Sequence, residues 1–173
     1  PAEAIERGHL INVPDHVSDQ EASVVEPVAC AINAQNFLKI EAGDSVLIYG
    51  AGYLGCIHAE LSLMQGASKV MIAEVSENRQ GLELLNKNGR MSLFGGLPGE
   101  SNYHLDSNLI HYKEAGIFGA HASTVKQNRQ ALELVASGKL NVAKYISEFS
   151  LTDAHKAFGC LIDETAEKAV LIP

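Results

Sequence analysis

There is no tryptophan in these 173 residues, aromatic side chains make up only 6%, and the cysteines number three: Cys30, Cys56 and Cys160. Three scattered thiols make neither a disulfide framework nor a Cys-x-x-Cys metal site, so they read as small core residues in a reducing, cytoplasmic setting. No apolar run approaches the roughly 18 residues of a membrane-spanning helix and no signal peptide opens the chain, so no membrane partner is expected. Basic residues are outnumbered, 13 against 21 acidic, and the resulting net charge of −8 excludes nucleic acid as an expected partner. No segment repeats and none is of low complexity. What is plentiful is apolar residue, 46%, enough to bury about one domain's core.

The chain is organised around Val46-Leu47-Ile48-Tyr49-Gly50-Ala51-Gly52-Tyr53-Leu54-Gly55. An apolar run of β type feeds glycines spaced Gly-x-Gly-x-x-Gly, and Leu54, Ile57, Leu61 and Met64 follow at helical spacing, which predicts strand, tight turn and helix. In that context the turn is a dinucleotide fingerprint: Gly50 takes the chain off the strand, Gly52 leaves room for a pyrophosphate, and Gly55 lets helix and strand approach. Tyr53 and Leu54 complete the turn, and the helix N-terminus offers N–H groups and partial positive charge to phosphates. A second predicted strand, Lys69 to Ala73, runs into Glu74, nineteen residues past Gly55 and near the ~20 at which an acidic side chain takes ribose hydroxyls. A carboxylate there repels a 2′-phosphate, so NAD is expected over NADP. Arg79 reads either as a contact to adenine or a 2′-phosphate, or as a solvated helix charge.

Leu10-Ile11-Asn12-Val13 is expected to form a short strand stopped by Pro14. Ser18-Asp19-Gln20-Glu21 is a capping box that starts a helix, and Pro27 implies a break near Glu26 with a fresh helix running to about Leu38. Ser76 to Asn88 reads as a helix closed by Asn88-Gly89, Gly89 to Phe94 as a strand, and Gly95 to Gly99 as the loop at its carboxyl end, where open α/β sheets bind ligands. Gly116 to Gly119 is a further strand, and Thr124 caps a helix ended by Ser137-Gly138. A last helix over Thr152 to Ile162 is expected to bury Ala154, Phe158 and Leu161, with Ala169 to Ile172 closing as a strand.

Four stretches, taken in order, resemble the medium-chain zinc-dependent alcohol dehydrogenases, particularly the sorbitol and threonine dehydrogenase branch. They are Val25-Glu26-Pro27-Val28-Ala29-Cys30, the fingerprint, Gly89-Arg90-Met91-Ser92-Leu93-Phe94-Gly95-Gly96, and Lys113-Glu114-Ala115-Gly116-Ile117-Phe118-Gly119. The resemblance implies an α/β fold, an incomplete Rossmann-type doubly wound parallel sheet with remnants of a catalytic domain. Residues 1–29 would be that domain's tail, 30–119 the NAD-binding domain and 120–173 the C-terminal part of the catalytic domain. It implies NAD and zinc as cofactors, and reversible hydride transfer between nicotinamide and a small secondary alcohol or polyol. It places Glu26 beside the catalytic zinc and Cys30 beside the nicotinamide. Phe94, Gly95 and Gly96 fall at the carboxamide, Phe118 at a neighbouring main-chain contact, and Lys168 near the pyrophosphate. Glu26 before Pro27 also reads as a plain helix-start carboxylate, Phe94 and Phe118 as buried strand residues, and Lys168 as a solvated charge. An edge strand over Gly116 to Ala120 would pair between subunits, giving a homodimer or homotetramer.

Two departures from the family stand out. The cysteine and His-Glu pair that complete its zinc site, and its four-cysteine lobe, are not in this sequence, and zinc needs three protein ligands plus an open position. Between Arg79 and Leu82 the family also inserts helix, third strand, helix, fourth strand and helix. In the strand order 3-2-1-4-5-6, losing strand 4 parts strand 1 from strand 5 and leaves two unpaired edges. We expect the chain to join pieces of a longer protein, with a segment absent near Arg79 to Leu82; the alternative is a compact variant with Ser76 to Asn88 as one helix. Alone, the chain is expected to bind NADH weakly or not at all and to oxidise no polyol. His58, His104, His111 and His121 lack metal-ligand spacing and read as surface or core histidines. Two rival functions share the same turn: an S-adenosylmethionine-dependent methyltransferase and a non-catalytic NAD-binding sensor.

Overall fold

A computed structural model describes residues 2–73, 81–96 and 105–173. Its strands are β1 (Ser45–Tyr49), β2 (Lys69–Ala73), β3 (Arg90–Phe94), β4 (Gly116–Ala120), β5 (Ile146–Ser150) and β6 (Lys168–Ile172). The helices are α1 (Ala2–Glu6), α2 (Asp19–Ser23), α3 (Val25–Leu38), α4 (Tyr53–Met64), α5 (Gly81–Leu84), α6 (Ser107–Lys113), α7 (Val125–Ala136) and α8 (Ala154–Ile162). Every pairing is parallel and joins strands across an intervening segment, β1 with β2, β3 with β4 and β5 with β6, as an α/β fold requires.

Most of the buried apolar residues lie on the helices. Ser18 accepts from the Glu21 N–H while the Glu21 carboxylate returns to the Ser18 N–H, so α2 starts at the expected capping box. The chain breaks at Val24, and Pro27 sits in the first turn of α3, where its missing N–H leaves no intrahelical bond unmade. On α3, Val28, Ala29, Ala31 and Ile32 are buried against Ile57 and Leu61 of α4 and Ala131, Leu132 and Val135 of α7. A second capping box, Thr124 with Gln127, starts α7, and Gly138 at φ 68° follows its end.

Several expectations are corrected. Leu10 to Val13 forms no strand and has no strand pairing among the described residues, so the local pattern alone did not make one. Of the helix expected over Ser76 to Asn88, residues 76–80 lie outside the described residues, and the described part is helical only as α5. Lys113 Nζ donates to the carbonyls of Leu82, Glu83 and Leu85, the last at 2.8 Å, and so satisfies the end of that short helix; Asn88, at φ 61°, then turns the chain into β3. Met64 is exposed although it shares the helical spacing of Ile57 and Leu61. On α8 the expected core face is open, with Phe158 63% and Leu161 39% exposed, while Ala157 is the buried residue. The elements α1, α6 and β5 carry no strong local pattern and were not expected.

The larger finding concerns β1 and β3. They belong to separate two-stranded sheets among the described residues, as the loss of a strand between them predicts. Both nonetheless lie on the α3/α4 layer. Ile48 faces Gly55 of α4 and the Phe94 ring faces His58 of α4 at 4.8 Å, so both sheets turn one side to the helices. Asp44, just before β1, and Arg90, the first residue of β3, meet at 3.3 Å.

His58 occupies that layer at a cost. Gln35 Nε2 donates to the His58 carbonyl at 2.8 Å and to Ser62 Oγ at 3.1 Å, and stands 3.3 Å from His58 Nδ1, while His58 Nε2 is buried without a partner among the described residues. Burial lowers the imidazole pKa to about 4 from its ordinary 6.5. The unfolded chain therefore binds the proton more readily, and stability that is whole above the unfolded pKa falls as pH drops toward the folded one. Urea unfolding at pH 7 and pH 5 should show a loss of roughly 2 kcal/mol from this residue. His58→Leu should remove that share of the pH dependence; an unchanged slope would show that His58 is not buried neutral.

Candidate active site

At the fingerprint, Gly50 takes φ 103°, a conformation that side chains resist, and Gly52 is the N-cap of α4 in extended backbone. Among the described residues nothing lies within 4 Å of where a Cβ at Gly50 or Gly52 would stand, whereas a Cβ at Gly55 would run into the Gly50 carbonyl. The turn is thus tight where helix meets strand and open where a phosphate would approach. The first amides of α4 have no partner within the helix, which leaves donors and a partial positive charge at that opening. These are features that a dinucleotide pyrophosphate fits.

Around the turn, Tyr53 is buried and its ring meets Tyr145 edge-on at 6.0 Å, while Leu54 packs on the core. Lys168, which opens β6, holds its ammonium 5.9 Å from the Tyr53 ring centre, beside the start of α4. Glu60, two turns along α4, accepts from the Tyr145 hydroxyl and from Lys144 Nζ at 2.6 Å, tying α4 to the segment entering β5. Burial pushes the Tyr53 phenol above its usual range, and burial followed by the Glu60 hydrogen bond pushes Tyr145 up to about 12. Nothing in the sequence singled out Glu60, Lys144 or Tyr145, because 85 residues separate Glu60 from Tyr145.

Gly95, at φ 92°, and Gly96 are exposed at the carboxyl end of β3, matching the placement of Gly50 and Gly52 at the carboxyl end of β1. Phe94 is brought to α4 by its contact with His58, and Phe118 stacks on Phe37 of α3 with ring centres 6.1 Å apart; both are half-buried. Glu74, Arg79 and His104 lie outside the described residues.

On the first two turns of α3, Cys30 Sγ donates to Glu26 Oε1 at 3.0 Å. Burial first, then the hydrogen bond to Glu26, raises the Cys30 pKa, with Ser123 opposing. Glu26 lines a hollow with Ile11, Val25, Asn128 and Leu132, next to a second hollow along His9, Ser123 and Thr124. Among the described residues no three of His, Cys, Asp and Glu converge as a metal-ligand group. The carboxylate and protonated thiol at Glu26 and Cys30 fall short of the three ligands of a catalytic zinc, so the described residues do not fit that metal. All three cysteines are free and half-buried rather than the core residues expected.

The chain matches no family profile. It is 36% identical over 67 residues to a sorbitol dehydrogenase of Bombyx mori, a match covering 39% of this chain and 19% of that protein. With a sorbitol dehydrogenase of Halalkalibacterium halodurans it is 21% identical over 213 residues, covering 95% of this chain and 62% of that one. Since 95% of 173 residues is about 164, that relative carries about fifty aligned positions for which this chain has no residue, room for a βαβ unit of about 30 or more. A zinc-binding dehydrogenase from Sinorhizobium meliloti, solved with NADP, superposes with a TM-score of 0.81 at 19% identity, over 94% of this chain and 62% of its own. The chain spans less than two thirds of these relatives.

Proposed function

We infer that this chain, related in sequence and in fold to the medium-chain zinc-type alcohol and polyol dehydrogenases, is the coenzyme-binding part of an oxidoreductase. Its reaction is hydride transfer between NAD and a secondary alcohol or polyol. The observation that carries the reading is the turn from β1 to α4, open at Gly52 and closed at Gly55. In this reading Gly50, Gly52 and the first-turn amides at Tyr53, Leu54 and Gly55 receive the pyrophosphate with Lys168 beside them. Glu74 clasps the ribose, Arg79 lies near the adenine, and the backbone of Phe94, Gly95 and Gly96 holds the carboxamide, with Phe118 and Cys30 flanking the nicotinamide.

NAD supplies the hydride acceptor when bound; the chain's residues bind and orient it, fixing the ring so that one face meets the substrate. Glu26 would border the metal only in a longer protein that supplies the remaining ligands. The boundaries 1–29, 30–119 and 120–173 follow the same reading. So do a cytoplasmic setting and a homodimer or homotetramer formed through β4, whose outer edge has no strand partner among the described residues.

The dehydrogenase relatives favour this reading over a methyltransferase. Calorimetric titration with NADH, NADPH and S-adenosylmethionine tests it. Weak NADH binding is expected, near a millimolar dissociation constant or about 4 kcal/mol, with NADPH weaker and S-adenosylmethionine silent. Binding of S-adenosylmethionine without NADH would overturn the assignment.

A further inference from the structure

Glu26, Cys30, Asn33 and Phe37 recur on α3 at steps of four, three and four residues, which stacks them in one stripe. That stripe follows β4 and the turn leaving it. Phe37 stacks on Phe118 of β4, Asn33 Nδ2 donates to the carbonyls of Ala122 at 2.9 Å and His121 at 3.4 Å, and the Ser123 side chain reaches Cys30. The other end of the Asn33 amide is held as well: its Oδ1 accepts from Nε2 of the buried Gln127 at 2.8 Å. Gln127 Oε1 in turn accepts from the Thr124 N–H at 2.7 Å and the Thr124 hydroxyl at 3.0 Å. One side chain thus grips both ends of the turn over residues 121–124. Within it Ala122 stands at φ 57°, a left-handed conformation that alanine resists and that persists only where the surroundings fix it. The turn lies at a ligand-binding edge: β3 and β4 are parallel with Phe94 beside Ala120, so Gly95 and Gly96 leave one strand at the level where His121 and Ala122 leave the other.

We propose that Asn33 is a positioning residue for the nicotinamide end of the coenzyme: by holding the His121 and Ala122 carbonyls it fixes the turn after β4 beside the Gly95-Gly96 loop. It shapes the place the ring enters and does not touch the ring. The inference rests on the coenzyme reading above and adds to it the residue that prepares one end of the site. A turn already held in its bound form costs the ligand no ordering on arrival, whereas a released turn must be ordered at the ligand's expense. The hydrogen bonds of Asn33 reach the turn after β4 and α7, not the glycine turn after β1 where the diphosphate is placed. Loss of its grip is therefore felt by a ligand that carries the nicotinamide and not by ADP-ribose, which lacks it. Asn33→Asp isolates the effect, since aspartate is close to the same shape and keeps an acceptor for Gln127 but has no N–H for the two carbonyls.

The test is titration of the whole chain with NADH and with ADP-ribose, followed by NMR at the backbone amides, which reads millimolar affinities. In the parent chain NADH is expected to move the signals of residues 121–123 and of the first turn of α4, and ADP-ribose only the latter. NADH is also expected to bind the more tightly of the two. In Asn33→Asp the affinity for ADP-ribose should stay within about two-fold, while the advantage of NADH over it falls about five-fold or more. A residue that only stabilised the fold would weaken both ligands alike. Four results would overturn the proposal while leaving a coenzyme at α4: ADP-ribose moving residues 121–123 as far as NADH does, no advantage of NADH in the parent chain, an unchanged advantage in Asn33→Asp, or equal weakening of both ligands there. The first two comparisons need no substitution, so they decide the matter should Asn33→Asp fail to fold. No shift at the α4 amides with either ligand would remove the coenzyme reading, and this inference with it.

Discussion

Gly55→Ala is expected to lower the melting temperature by roughly 6–12 °C, and Gly52→Ala to leave it nearly unchanged while coenzyme binding falls about ten-fold or more. A Cβ at Gly55 points into the Gly50 carbonyl, a backbone atom fixed by its own turn and by the Gly50 N–H bond to the Ala73 carbonyl at 2.8 Å. Relief would require moving α4 off β1, so the cost sits at or above the upper end of the ~1–3 kcal/mol seen for overpacking. At Gly52 the backbone is extended, which any residue adopts, and no described atom lies within 4 Å of an added Cβ. Alanine there meets none of the described residues but stands where a pyrophosphate would approach the α4 amides. Thermal melts paired with NADH fluorescence titration check both halves. Equal NADH affinity in Gly52→Ala and the parent chain would remove the coenzyme from this turn.

No change in nicotinamide absorbance is expected when the chain is given NAD and sorbitol, with or without added zinc. Zinc-assisted alcohol oxidation needs the metal held by three protein groups with a fourth position free, so that the bound hydroxyl loses its proton near neutral pH. Among the described residues Glu26 is the one carboxylate beside the α3 hollow, and its nearest metal-type neighbour is the Cys30 thiol that donates to it. Burial and that same carboxylate raise the thiol's pKa, which opposes the thiolate a zinc site needs. Titration with zinc should accordingly show no stoichiometric binding. Steady polyol oxidation by this chain would overturn the account of Glu26 and require a metal or base elsewhere in it.

What could be read from the sequence was what depends on neighbours a few residues apart. The β1 turn, the capping boxes at Ser18 and Thr124, and the restart of a helix around Pro27 each rest on interactions spanning three or four positions, and each stands in the structure where expected. The separation of β1 from β3 was legible too, because it follows from strand order once the run after Arg79 is seen to be too short. Phe158 and Leu161 illustrate the limit: helical spacing gave α8 an apolar face, yet spacing says nothing of whether another element covers it, and both are exposed.

By itself, then, the sequence determined a tight glycine turn leading from a strand into a helix between two parallel strands, since chain stiffness and missing side chains act locally. Only the tertiary structure decided that His58 is buried against Phe94 and that Glu60 is gripped by Lys144 and Tyr145. Those arrangements depend on segments remote in the chain meeting in space, and the free energy of such meetings lies in burial and in completed hydrogen bonds, which local residue order does not specify.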